Sequence, residues 1–260
     1  MTLKFSPKAH KYWLDGKPIP GVTTLISKGL PKPALPNWAA RTVAEYVVDN
    51  PEQVDNLRSL GRGPAVAALK AIPWQARDEA AVRGTDVHKL AEEVIHGREV
   101  DVPEHLVAHV EGYVRWLDEF QVEAVYTEHA VANRKWFYAG TFDAVLTFGR
   151  GPWAGRTVLG DWKTSKAVYG ETALQTAAYA RADFLAPDPD TETPMPVVDA
   201  TGVLHITEAG SQFYPLSGTP EDIDEAFKVF NHIAYVAGKA EWIKGLVGEP
   251  MELQEAEAAA

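Results

Sequence analysis

Asp161-Trp162-Lys163 ends a short apolar run that contains Val158 and Leu159. If the run is a strand, its two-residue alternation puts Asp161 and Lys163 on one face. A carboxylate able to hold a divalent cation beside an ammonium group suits phosphodiester hydrolysis. The cation draws charge from the phosphate and acidifies water, while the lysine orients that water or stabilises the charge that develops. The same spacing also describes an exposed ion pair on a solvated strand, so other residues must decide. Asp143 lies in Gly140-Thr141-Phe142-Asp143-Ala144-Val145-Leu146, a second apolar run carrying one acid. If the two runs pair as a hairpin, the two carboxylates approach a shared site, where each raises the other's pKa unless a cation intervenes. Oxygen ligands of this kind favour Mg²⁺ or Mn²⁺. The alternative for Asp143 is a cap or bridge at the strand edge.

Two helical pairs add to the set. His88 and Glu92 are four residues apart, so Glu92 can orient the imidazole or hold water at a metal site. Gln175 and Tyr179 share the same spacing just after the Asp-Lys strand, where an amide and a phenol suit phosphate oxygens or a base. Each of these residues singly is also an ordinary packing residue. His105 and His109 repeat the spacing, have no acidic strand partner in the sequence, and read as surface.

These side chains need a scaffold. Three β-rich stretches are expected at 122–131, 136–148 and 156–163, the last two forming an antiparallel hairpin across Gly149-Arg150-Gly151-Pro152. Ahead of them come a hairpin with Asp15-Gly16 as its turn and a helix capped by Asn37. Helical stretches follow at 51–71, interrupted near Gly61, and at 74–95, broken at Gly84-Thr85, and then a helix that Pro103 opens. Beyond the core the pattern predicts a helix over 172–185, a Pro- and Asp-rich connection, strands near 197–206 and 212–216, a helix from Pro220 to about 246, and a fraying Glu- and Ala-rich tail. The fold class expected is α/β: a central mixed sheet flanked by helices, with an N-terminal helical region at 1–72, a core at 73–186, and acidic strands and a helix at 187–260 completing the same domain.

Composition narrows the chemistry. The 260 residues include no cysteine, which excludes disulfides, thiolate zinc sites, a cysteine nucleophile and a cysteine-held iron–sulfur cluster. No signal-peptide or membrane-span pattern is present, and a cytoplasmic location is expected. The net charge of −11 at first disfavours nucleic acid. From Asp183 onward, however, there are 15 acidic and 3 basic residues, whereas residues 1–182 carry 21 and 22. A local basic groove drawn from Arg77, Arg83, Lys89, Lys135 and Lys166 remains open, as does stacking of bases on Trp136, Phe137 and Tyr138. The alternatives are ordinary solvated charges and core aromatics.

The order Gly-Thr-x-x-His-x-x-x-Glu (Gly84 to Glu92), Gly-Thr-Phe-Asp, Asp-x-Lys-Thr-Ser and Gln-x-x-x-Tyr resembles the PD-(D/E)XK nuclease superfamily, in particular its RecB-like exonuclease branch. Tyr12-Trp13-Leu14-Asp15-Gly16, Pro20-Gly21-Val22-Thr23-Thr24 and Trp38-Ala39-Ala40 extend the likeness toward phage-encoded and CRISPR-associated exonucleases, over residues 10 to about 180. The resemblance implies a restriction-endonuclease-like core and a Mg²⁺- or Mn²⁺-dependent exodeoxyribonuclease. Its metal would sit on His88, Asp143, Asp161 and the Trp162 carbonyl, with Lys163 catalytic, Glu92 a helper, and Gln175, Tyr179, Thr164 and Ser165 near substrate. Relatives often carry a four-cysteine iron–sulfur cluster, which this chain cannot hold. No phosphate-binding Gly-Lys-Ser/Thr loop is present, so ATP has no part. DNA ends are the expected partner, single-stranded ones included, with a recombination or single-strand-binding protein as a possible second, in recombination, repair or end processing. An endonuclease of the same fold and a noncatalytic DNA-binding recombination partner are the rival readings.

Overall fold

The structure, a computed structural model, describes residues 3–6, 9–188 and 191–251. Most of the expected fraying tail lies outside them. A seven-stranded mixed sheet is built from β4 (Val122–Asn133), β5 (Tyr138–Phe148), β6 (Thr157–Lys163), β7 (Phe184–Ala186), β8 (Thr193–Pro194), β9 (Ala200–Thr207) and β10 (Gly210–Ser217). Their order is β10-β9-β6-β5-β4-β7-β8. The β4–β5 and β5–β6 pairs are antiparallel and joined directly, as alternating Val, Ala, Thr and aromatic residues between turn signals predict. β6 and β9 run parallel. A parallel pair needs a crossover, and α6 (Glu171–Ala180) supplies part of it directly after the Asp161–Lys163 end of β6. That connection is why Gln175 returns to the strand that carries Asp161.

Helices cover both faces of the sheet, so its central strands are buried almost throughout. On one side α1 (Val22–Gly29), α6 and α7 (Pro220–Lys244) pack Val22, Ile26, Ala177 and Phe230 around Tyr138, Phe142 and Leu159. A second cluster is built from α4 (Arg62–Ile95) and α5 (Val107–Phe120), with Val87, Ala91, Tyr113 and Trp116 around Leu146, Trp162 and Leu204. Period two along β6 explains the division: Val158 and Trp162 go to the α5 cluster, and Leu159 goes to the α6 cluster. A small N-terminal sheet of β1 (Leu3–Ser6), β2 (Lys11–Leu14) and β3 (Lys17–Ile19) packs Tyr12 and Leu14 on Ala132 and Ala139. Its turn is the expected Asp15-Gly16, both residues at positive φ, 51° and 78°.

Three local expectations are corrected. Asn37 caps nothing: α2 (Ala34–Asp49) already includes it, with Pro33 at the cap position. Pro36 falls within the first turn, where no backbone N–H is required, so the helix can begin ahead of Asn37. Gly84-Thr85 does not break α4, which runs unbroken over 34 residues. Its glycine instead makes room, because a Cβ there would lie 3.2 Å from the Thr164 hydroxyl. The helix expected over 172–185 stops at Ala180, because Phe184 and Leu185 bury their side chains as β7 and pair with Ala132 and Val131 of β4. α3 (Pro51–Ser59) and the start of α4 flank Gly61 as expected, at φ 93°. Among the described residues no helix is long and apolar enough to cross a membrane.

Candidate metal centre

The hairpin expected from the two apolar runs forms. Ala144 pairs with Gly160, and the same register carried one residue further sets Asp143 against Asp161. Asp143 Oδ2 accepts a hydrogen bond of 2.5 Å from the Trp162 backbone N–H, which ties the two strands at this point. His88, on the third turn from the end of α4, brings Nδ1 to 3.5 Å from Asp143 Oδ1. Asp161 is buried, 2% exposed, and its Oδ2 lies against the Lys163 ammonium. Its other oxygen accepts a 2.9 Å hydrogen bond from Gln175 Nε2. His88, Asp143, Asp161 and Lys163, scattered over 76 positions of the chain, therefore share one pocket.

The structure adds a residue that the sequence reading passed over. His88, Glu128 and Asp143 each offer one ligand atom, all within 4.8 Å of one another. Glu128 belongs to β4, between Thr127, which pairs with Ala144, and His129, which pairs with Phe142. That register sets Glu128 across from Asp143. Its φ is 51°, a left-handed value for a non-glycine residue inside a strand, and such strain persists only where the surroundings impose it. The signal was present: a hairpin turning at 134–137 pairs position 128 with position 143. Nothing in the local sequence separates Glu128 from Glu123, however, because choosing between them requires the register.

Other expected residues fall differently. Asp161 lies outside the three-residue cluster and is held by Lys163 and Gln175. Gln175 donates to Asp161 and lies 3.4 Å from the Tyr179 hydroxyl, so it positions a carboxylate. Tyr179 is 3% exposed and buried against Gly140, where any Cβ would strike its ring. Tyr179 therefore packs in the core, with its hydroxyl toward Gln175. Glu92 makes no hydrogen bond or ion pair with His88; it acts on Glu128 through charge. Trp162 contributes its backbone N–H, and its side chain is buried with Tyr113 and Trp116. Thr164 approaches Gly84, while the Ser165 hydroxyl donates to the Ala167 carbonyl and the Ser165 carbonyl meets His205 Nε2. His109 is buried at 5% exposure, so only His105 of that pair is a surface residue as expected. Tyr138 is buried and donates to the Ala178 carbonyl, whereas Trp136 and Phe137 lie exposed in the turn before β5. Of the basic residues, Arg77 is paired with Asp78 and stacked on Trp74, and Lys135 lies over Trp136.

The electrostatics describe a site in which His88 and Lys163 offset Asp143 and Asp161 while Glu128 keeps its proton near neutrality. Burial pushes the Glu128 carboxyl up, and Asp143 pushes it further, to about 8. Asp161 is raised to about 6 by burial, against the pull of Lys163. Burial pulls the His88 imidazole down, but the Asp143 charge and hydrogen bond outweigh it and hold it at about 9. Asp143, also buried, is held below the usual carboxylate range by His88 and Lys163. Glu128, which keeps its proton near neutrality, and His88, which holds an extra one, would each lose that proton to solvent when a divalent cation binds. Two carboxylates and an imidazole suit Mg²⁺ or Mn²⁺, and the imidazole shifts the balance toward Mn²⁺. No family model matches the chain, and no curated protein matches it.

Proposed function

We propose that the chain is a Mg²⁺- or Mn²⁺-dependent DNA exonuclease with a restriction-endonuclease-like core, acting on DNA ends in recombination, repair or end processing in the cytoplasm, and phage-encoded. The observation that carries this reading is the meeting of His88, Glu128 and Asp143 beside the buried Asp161 and its half-buried partner Lys163. His88, Glu128 and Asp143 would hold the cation, with Asp161 at the edge of the same pocket. A bound divalent cation would supply charge against the phosphate oxygens and make water more acidic. Lys163 points its ammonium into this pocket, where it can orient the attacking water and offset charge that builds on the phosphate. Gln175 keeps Asp161 turned toward Lys163, and the Trp162 N–H fixes the Asp143 carboxylate. A protein that only bound DNA would have no use for gathering the carboxylates of Glu128, Asp143 and Asp161 in one place, since they repel phosphate.

DNA labelled at the 5′ or the 3′ end, digested with Mg²⁺, Mn²⁺ or EDTA, tests the reading. Release of labelled mononucleotides or short oligonucleotides with either metal, and none with EDTA, is expected. Circular single-stranded DNA should survive, and its cleavage would turn the assignment to an endonuclease. Absence of any metal-dependent cleavage of DNA would overturn the proposal.

A further inference from the structure

A second concave region lies at the open edge of the sheet, apart from the metal centre. β10 is the outermost strand, and among the described residues no strand pairs with its outer side. Such an edge presents unpaired backbone N–H and C=O groups that can accept another strand. Two pockets flank Phe213 on the side where α5 packs. One, of about 240 Å³, is apolar, with Phe120, Phe148 and Trp153 in its wall and Arg150 at its rim. The other, of about 310 Å³, is polar and lined by Arg115, Trp116, Glu119 and Ser211. Phe213 separates the two and stacks on Trp116, their ring centroids 5.7 Å apart.

Three features mark this surface as built for a ligand. The Trp116 indole N–H is buried, its residue 3% exposed, and has no hydrogen-bond partner among the described residues. The Ser211 hydroxyl is in the same state. Buried polar groups are nearly always satisfied, and of the six side-chain atoms without a hydrogen-bond partner among the described residues these two are the pair beside this groove, where an added acceptor would serve both. The guanidinium groups of Arg115 and Arg150 carry no ion pair among the described residues, although acids are plentiful in this chain. Ser211, Phe213 and Pro215 follow one another at two-residue spacing, a span of about 13 Å at the rise of an extended strand.

We propose that this edge docks an extended peptide segment of a partner protein, pairing with β10 and placing one large apolar side chain in the apolar pocket and a carboxylate, two to four residues away, at Arg115, Trp116 and Ser211. The carboxylate satisfies both orphaned donors and one free guanidinium. A single strand of nucleic acid fits less well: it has no backbone amides to pair with a sheet edge, whereas Glu119 bears on a phosphate and a carboxylate alike. Trp116 packs on Trp162 beneath the candidate metal centre, but the groove shares no titratable side chain with it, so the nuclease reading can fail without affecting the proposal.

The test is a displayed library of random seven-residue peptides, selected on the full-length protein. Selected sequences should place an aromatic residue or leucine two or four positions from Asp or Glu. A selected peptide, synthesised with a fluorophore, should bind in an anisotropy titration and lose at least tenfold in affinity to Arg115→Glu and to Arg150→Glu. Both side chains are exposed, so these variants should keep the wild-type thermal midpoint. Hydrogen exchange at the backbone amides of residues 211–214 should slow when the peptide is bound. No recurring sequence pattern, equal affinity for both variants, or unchanged exchange along β10 would each overturn the proposal. Binding of a twelve-residue oligothymidylate that Arg115→Glu abolishes would assign the groove to nucleic acid instead.

Discussion

The two halves of the candidate metal centre are organised in opposite ways. On the β6 side Asp161 is neutralised from within, by Lys163 two residues on and by the Gln175 amide from the next helix. On the β4–β5 side Glu128 and Asp143 are set against each other with only His88 between them, and Glu128 reaches that position in a left-handed conformation. The first half is stable as it stands. The second gathers titratable groups that hold protons a cation would displace, and in the proposed reading it is the half that takes the metal. The comparison separates positioning from binding, and each variant below acts on one half.

The largest effect is expected from Asp143→Ala, which removes the one residue tied to His88, to the Trp162 N–H and across from Glu128. DNA cleavage should fall by about a thousandfold or more, as measured on end-labelled substrate, and Mn²⁺ should no longer raise the thermal midpoint. Lys163→Ala should cost about a hundredfold in cleavage. It also leaves Asp161 buried without its ion pair, so the fold should lose about 3 kcal/mol in urea titration. Equal stability of the Lys163→Ala protein and wild type would remove the distinction between the halves.

Glu128→Gln tests the charge-rich half directly, and its sign depends on pH. Glu128 holds its proton more tightly in the folded protein, to about 8, than in the unfolded chain. Folding is therefore favoured at low pH, and that stability is lost as pH climbs from the ordinary carboxylate range through 8. The metal-free wild-type midpoint should drop over this window more steeply than that of Glu128→Gln. His88, raised to about 9, contributes stability that is present below its ordinary value near 6.5 and lost as pH passes 9. Because a metal must displace both protons, Mn²⁺ affinity measured calorimetrically should strengthen between pH 7 and 9 in the wild type, and by less in Glu128→Gln. Affinity that is flat across that range would contradict the assignment of these ligands.

Gln175→Ala should reduce kcat about tenfold and leave KM nearly unchanged if the amide acts by orienting Asp161, to which it donates. A change confined to KM would restore the substrate-contact role expected from sequence. The smallest effect is expected from Glu92→Gln, which removes only a charge acting on Glu128. Cleavage should change by less than about fivefold, the scale of a screened interaction of up to ~1 kcal/mol.

Much of this was legible in the amino-acid order. Alternation in 157–163 put Asp161 and Lys163 on one face, the turn at Gly149-Arg150-Gly151-Pro152 made β5 and β6 a hairpin, and that pairing carried Asp143 to Asp161. The N-terminal hairpin was equally plain, since Asp-Gly is the turn its twist requires. These features depend on neighbours in sequence, where period and turn chemistry act directly. His88 was visible as a residue on a helical face but not as the partner of Asp143, because nothing local says which strand that helix crosses. Glu128 could not be singled out, because its role comes from register and from a strained φ that only packing imposes. The same holds for Gly84, which reads as a helix break until Thr164 is found beside it, and for Phe184–Ala186, drawn into the sheet by an open edge of β4. Local chemistry determined the elements and the residues able to act. Long-range pairing decided which of them meet, because contacts between distant segments are set by the packing of whole faces, which no short stretch of sequence contains.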